Sequence, residues 1–289
     1  MSSTRSTRHQ FALIDGRRVF YREAGSPDAP ALVLLHGFPS SSHMFRDLIR
    51  LLAGDFHVIA PDYLGFGHSD APAVTEFDYT FDNLTAVVAA LLDQLGIHSS
   101  ILYMQDYGGP IGLRLAANDP ARVAGLIVQN ANAYLEGVGQ PLLDIFLPFW
   151  NAWTDETERA ARGFLAAETT KFLYTTGARA PDALNPDAWA FDQAGLDRPG
   201  NDHVQLALFK DYATNLPWFE KWHAYFVQHA PKTLIVWGVN DPLFVRAGAE
   251  AYLRDLPDAE VHFLDGGHFA LEEYAPEIAN HVVRVFGRR

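Results

Sequence analysis

The chain alternates short apolar runs with longer segments whose apolar residues recur at helical spacing. Phe11–Ile14 and Arg18–Arg22 flank Asp15-Gly16, two alternating runs about a D-G turn, which predicts an antiparallel hairpin. Ala31–Leu35 and His57–Ala60 are short and mostly apolar, the pattern of strands buried on both faces, and a helix is expected over Ser42–Leu52 between them. The rhythm continues with a helix over Asn83–Leu95, a strand over Ile101–Gln105, a helix over Gly109–Asn118 and a strand over Val123–Gln129. A parallel sheet wound with helices accounts for that order.

At Asn130 the pattern breaks, and a buried strand returns only at Thr233–Trp237, about a hundred residues later instead of the couple of dozen a crossover takes. The stretch between holds helical patches and five of the six tryptophans: Trp150, Trp153, Trp189, Trp218 and Trp222. Its centre, Ala180–Asn201, is rich in Pro, Gly and Asp and reads as a long connection between helices. The close of the chain resumes the alternation, with a helix over Arg246–Leu256, a strand over Glu260–Leu264 and a helix over Leu271–Phe286. The expected organisation is a flexible tail over 1–10, a core domain over 11–131 and 230–289, and a helical cap domain over 132–229.

Composition narrows the function classes. Hydrophobic residues at 48% and charged residues at 20% of 289 are ordinary globular usage and exclude a disordered or low-complexity chain. Twenty-two Lys and Arg against 35 Asp and Glu give a net charge of -13, which repels phosphate backbones and argues against nucleic acid as a partner. No apolar run suits a membrane span. Met1–Gln10 has no apolar core of a signal peptide, so a cytoplasmic location is expected. With no cysteine, disulfides, thiolate metal sites and a Cys nucleophile are excluded.

In wound sheets, reactive groups sit in the loops at the carboxyl ends of the strands. Those loops carry, in order, His36-Gly37-Phe38-Pro39, Gly65-Phe66-Gly67-His68-Ser69, Gln105-Asp106-Tyr107-Gly108-Gly109, Asp241, and Gly266-Gly267-His268-Phe269. On these motifs the chain resembles the α/β-hydrolase superfamily from Phe11 to Phe286. In that family a nucleophile stands on a sharp strand-to-helix turn, followed along the chain by an acid and a histidine. Asp106 occupies the turn, although Met104 stands where a small residue is usual. All ten serines lie at or before Ser100 and none has a G-x-S-x-G context. Ser69 is placed in a turn at the sheet edge, which leaves Asp106 as the candidate nucleophile.

A carboxylate nucleophile attacks an sp3 carbon and forms an ester on the enzyme. By resemblance, His268 activates the water that cleaves the ester, Asp241 orients His268, and the backbone N–H groups of Phe38 and Tyr107 hold the oxyanion. Asn130 holds the place where some dehalogenases carry the acid, and it has no charge to give. Singly, each motif has a bland reading: Asp106 a turn residue, Asp241 before Pro242 a helix N-cap, His268 a loop histidine. Their joint order at successive strand ends favours the functional one.

Two Asp-nucleophile branches compete, epoxide hydrolases and haloalkane dehalogenases. An epoxide oxygen needs an acidic O–H donor, and a halide needs N–H donors such as tryptophan. The His36–Pro39 loop, Tyr212 in the run Asp211–Asn215, and Tyr107 in place of a halide-binding Trp resemble the epoxide-hydrolase form. Gln105, and Trp150 and Trp153 where a second tyrosine is expected, resemble the other. Tyr134 is a substitute donor candidate. Haloacetate dehalogenases carry arginines where Tyr107 and Pro110 stand here. The expectation is an α/β-hydrolase opening a small apolar epoxide with water, with haloalkane dehalogenase as the alternative and a non-catalytic binding protein of the same fold as the second. Phe146, Phe149, Trp150 and Trp153 suggest an apolar pocket. No cofactor and no metal are implied.

Overall fold

In the computed structural model, which describes residues 6–288, the wound pattern folds into one eight-stranded sheet ordered β1-β2-β4-β3-β5-β6-β7-β8. The strands are β1 (Arg8–Ile14), β2 (Arg17–Ala24), β3 (Ala31–Leu35), β4 (His57–Pro61), β5 (Ser100–Gln105), β6 (Val123–Gln129), β7 (Thr233–Gly238) and β8 (Glu260–Leu264). The β1–β2 and β2–β4 ladders are antiparallel, and the rest are parallel. The strand order reverses around β3, which pairs with β4 on one side and β5 on the other. That reversal opens a crevice at the carboxyl ends of β3 and β5, where ligands of open α/β sheets bind.

The first helices are α1 (Arg46–Leu52), α2 (Phe81–Gln94) and α3 (Gly108–Asn118). Between β6 and β7 stand α4 (Gln140–Asn151), α5 (Asp155–Arg162), α6 (Ala167–Thr175), α7 (Pro186–Leu196), α8 (Asn201–Asp211) and α9 (Asn215–His229). They are followed by α10 (Arg246–Ala251) and α11 (Leu271–Phe286). Six helices thus occupy the stretch between β6 and β7. Central strands are buried throughout, from Leu32 to Leu35 and over the whole of β5 and β7, which is why they read as unbroken apolar runs.

Three expectations are corrected. Residues 8–10 are not tail: Arg8, His9 and Gln10 pair with Glu23, Arg22 and Tyr21, while residues 1–5 lie outside the described part. Their polarity suits an edge strand. Ala180–Asn201 is not a plain connection, because Asn185 caps α7, its side chain accepting from Asp187 N, with Pro186 at the first position. Proline at that position costs the helix nothing, since its missing N–H has no partner there. The helix expected over Ser42–Leu52 begins with a 3-10 turn, Ser42–Phe45, and becomes α-helical only at Arg46.

Arg114 of α3 ties the helix after the elbow to the insertion. Its side chain is buried and donates to Asp82 Oδ1 (2.7 Å), Asn215 Oδ1 (2.5 Å) and Thr214 Oγ1 (3.1 Å). The guanidinium also lies over the rings of Trp218 (4.9 Å) and Trp222 (5.8 Å). Arg114→Ala removes these bonds and leaves a cavity, and it is expected to lower stability by about 3 kcal/mol. Urea unfolding measures this, and a loss below about 1 kcal/mol would show that the cluster contributes little.

Candidate active site

Asp106 sits between β5 and α3 with φ +49°, a left-handed conformation that costs a non-glycine residue about 1–3 kcal/mol and is often found at functional sites. The chain can turn so sharply because Gly108 passes close to β3: a Cβ there would lie 2.1 Å from Leu35 O. Met104, the departure from the usual small residue, is accommodated by Gly112 one turn into α3, where a Cβ would lie 2.5 Å from the Met104 sulfur.

The elbow aims the carboxylate in two directions. Asp106 Oδ2 accepts from the backbone N–H of Phe38 (2.8 Å) and of Tyr107 (2.5 Å). Asp106 Oδ1 lies 3.6 Å from His268 Nε2. Burial pushes the Asp106 pKa up, against the opposing pull of His268 and the two N–H donors, and the net shift is upward.

His268 is buried in the loop after β8, and its Nδ1 donates to Asp241 Oδ2 at 2.7 Å. With Nδ1 as donor, Nε2 is the acceptor and takes an amide N–H of Gln105 at 3.0 Å. Burial alone would lower the His268 pKa; the Asp241 carboxylate, and then Asp106, outweigh it and hold it above the ordinary 6.5.

Asp241 leaves no lone pair idle. Oδ1 accepts from the backbone of Leu243 (2.8 Å) and Phe244 (3.1 Å), so the cap-like role is real, although these residues form a turn and no helix starts there. Oδ2 takes His268 and also Asn130 Nδ2 at 2.9 Å. Asn130 in turn exchanges bonds with the Gly238 backbone, and its own carbonyl accepts Asp106 N. Sequence reading missed Asn130 as a brace and Gln105 as a partner of His268. Their signal was position, since both are buried polar residues at the carboxyl ends of central strands.

These groups open onto a cavity with about 430 Å³ of atom-free space, lined by Asp106, Tyr107, Tyr212 and His268 and otherwise by apolar and aromatic side chains such as Phe146 and Trp150. Tyr212 stacks on Trp150 (5.8 Å) and lies 6.1 Å from the Tyr107 ring. Core contacts on either side pin it: Asp211 accepts from Phe81 N (2.7 Å), and Thr214 and Asn215 hold Arg114. Neither tyrosine hydroxyl has a hydrogen-bond partner among the described residues. Burial, then Asp106, push both phenol pKa values up, so both stay protonated donors.

The other candidates fall elsewhere. Trp150 lines the cavity, and its N–H is taken by Phe209 O at 2.8 Å. Trp153 is 46% exposed and donates to Glu158. Tyr134 is buried outside the cavity, its hydroxyl on Asp255 and its ring stacked on His223. Phe149 packs against Trp153, away from the cavity. Ser69 is structural, bonding Phe20 N and Asp62 O. His36 is neutral, its pKa lowered to about 4 by burial, and it accepts from Tyr63 N. Glu260, His262 and His281 form a cluster of metal-ligand type remote from the cavity, but Arg284 already bonds Glu260 there.

The family model described as alpha/beta hydrolase fold matches residues 30–275, and the chain belongs to that family. It is 37% identical to an uncharacterized hydrolase of Saccharomyces cerevisiae over 99% of both chains. A cis-3-alkyl-4-alkyloxetan-2-one decarboxylase of Shewanella oneidensis is 30% identical, covering 95% of this chain and 87% of its own. A haloalkane dehalogenase of Mycobacterium marinum is 31% identical, covering 92% and 88%. Among solved structures, a mutant of the haloalkane dehalogenase DatA from Agrobacterium tumefaciens superposes with a TM-score of 0.81 over 98% of this chain and 99% of its own, at 21% identity, a likeness of fold.

Because His268 binds its proton more tightly folded than unfolded, its contribution to stability is present in full below pH 6.5 and is lost as pH rises through the raised value. Asp241→Asn removes the first of the carboxylates that raise it. The His268 pKa, followed by NMR titration, is expected to fall in that variant; an unchanged or higher value would mean that Asp241 does not set it.

Proposed function

We propose that the protein is a hydrolase working through an ester on Asp106, and that its substrate is a small apolar epoxide, which it converts to a diol. Asp106 Oδ1, aimed into the cavity, attacks a ring carbon. The carbon–oxygen bond breaks, and the departing oxygen takes a proton from Tyr212, with Tyr107 as a second donor. Asp106 Oδ2 becomes the ester carbonyl, already facing the N–H groups of Phe38 and Tyr107. His268 Nε2 then takes a proton from a water that adds to the ester carbon. The oxyanion on Oδ2 is held by the same two donors, and on its collapse the diol oxygen leaves with the proton from His268; the acid proton that the water leaves on Asp106 then passes, through solvent, to the Tyr212 phenolate, restoring carboxylate and phenol.

The observation that carries the choice of leaving group is the pair of tyrosine hydroxyls on the cavity wall without partners among the described residues, set against Trp150, whose N–H is spent on Phe209. The leaving group is offered O–H donors, as an epoxide oxygen requires. The Shewanella relative is named for a substrate that is also an alkyl-substituted, strained oxygen ring, which fits an apolar cavity with few polar groups. Haloalkane dehalogenase is the second reading, favoured by the Mycobacterium relative and by Gln105 before the nucleophile.

His268→Gln mixed with an epoxide, and separately with a bromoalkane, is expected to accumulate an adduct on Asp106, larger with the epoxide, as read by mass spectrometry of the elbow peptide. No adduct with either overturns the covalent mechanism, and an adduct with the bromoalkane alone moves the assignment to dehalogenase. Tyr212→Phe is expected to slow ester formation from the epoxide about 100-fold while leaving the bromoalkane reaction nearly unchanged.

A further inference from the structure

The substrate cavity has a polar neighbour. Between Pro39–Ser41, the turn at Gly65–His68 and helices α7 and α8 lies a second cavity with about 510 Å³ of atom-free space. A water takes about 30 Å³ in the liquid, so there is room for several. Two of the cavity's lining residues, Asp192 and Asn201, are each 3% exposed and each keeps one buried side-chain oxygen, Oδ1, without a protein partner among the described residues.

Two walls of this cavity continue into the substrate cavity. On the core side, Phe38 lines the substrate cavity, and Pro39 and Ser40 line its neighbour. On the other side is α8, where Asn201 lines the polar cavity and Phe209 the substrate cavity. Gln205 lies midway, four residues from each and therefore on the same helix face. It is fully buried, and neither its amide nitrogen nor its oxygen has a protein partner among the described residues. Leaving such a group dry is unfavourable, and native proteins meet it with ordered water. On the core side, the Tyr63 hydroxyl is likewise buried without a protein partner among the described residues, its ring 6.1 Å from that of Phe66, which lines the polar cavity.

We propose that the polar cavity is a water chamber and that Gln205 passes its water along the inner face of α8 to the site at Asp106, supplying the molecule that cleaves the ester. The proposal rests on the ester mechanism given above. An apolar substrate filling the first cavity excludes water from that side, and the ester formed there must still be reached by one. Asn201, Gln205 and the 38–40 loop provide a route that the substrate does not block. Gln205 acts as a positioning residue for water; no bond to it forms or breaks.

The test is a single turnover with styrene oxide, quenched at intervals, with the Asp106 ester followed by mass spectrometry in the wild type, Gln205→Leu and Asn201→Val. In Gln205→Leu, ester formation is expected at the wild-type rate and ester decay about ten-fold slower, so that the ester accumulates. Gln205→Asn, which keeps an amide, is expected to recover part of the decay rate. Wild-type decay in a Gln205→Leu protein that melts like the wild type overturns the route; if that variant does not fold, wild-type decay in Asn201→Val overturns it equally. A parallel slowing of formation and decay is the mark of general distortion and also counts against it. Absence of any ester, in the wild type and in His268→Gln alike, overturns the underlying mechanism and the water route with it.

Discussion

The structure depends on keeping one carboxylate away from water. Asp106 is 7% exposed, and an ion so buried is held only where nearby dipoles and charges replace its hydration. The replacements come from separate parts of the chain: the Phe38 N–H from the loop after β3, the Tyr107 N–H from the elbow itself, and the imidazole of His268 from the loop after β8. His268 is in turn steadied by Asp241 after β7, and Asp241 by Asn130 after β6. Every parallel strand from β5 to β8, together with β3, ends in a residue of this network. A sheet of another order would leave a charge unmatched.

The helical insertion is bound to the same demand. Asp211 caps the start of α2, and Thr214 and Asn215 grip Arg114 of α3. Tyr212 lies between these two attachments, so its ring is placed by contacts to the core as well as by its own packing. Tyr212 on the cavity wall and the helix that follows Asp106 are therefore parts of one assembly.

Much of the sheet could be read from the sequence because a strand buried on both faces must be apolar along its length. That rule located β3, β5 and β7 and failed at Arg8–Gln10, where an edge strand needs no such run. The motif Asn185-Pro186 marked the start of α7, but the surrounding Pro, Gly and Asp masked it. At the site, chain order named Asp106, Asp241 and His268, and the fold brings them together. The wall facing them was less legible. Whether a tryptophan N–H points into a cavity depends on partners such as Phe209 O for Trp150 or Glu158 for Trp153, and the Tyr134 hydroxyl was claimed by Asp255. These pairings follow from how helices pack, which periodicity does not encode.

The 3.6 Å between Asp106 Oδ1 and His268 Nε2 gives the network a sense of time. The Asp106 carboxylate is one of the charges that keep the imidazole's proton affinity high. On the proposed chemistry, the first step turns that carboxylate into a neutral ester, and the support it gave to a protonated His268 vanishes with it. The imidazole's proton affinity falls only while the ester exists, which favours the neutral form whose Nε2 accepts, and the carboxylate, once regenerated, restores the earlier state. Consuming a charge in one half of the cycle arms the base for the other half, with no moving part.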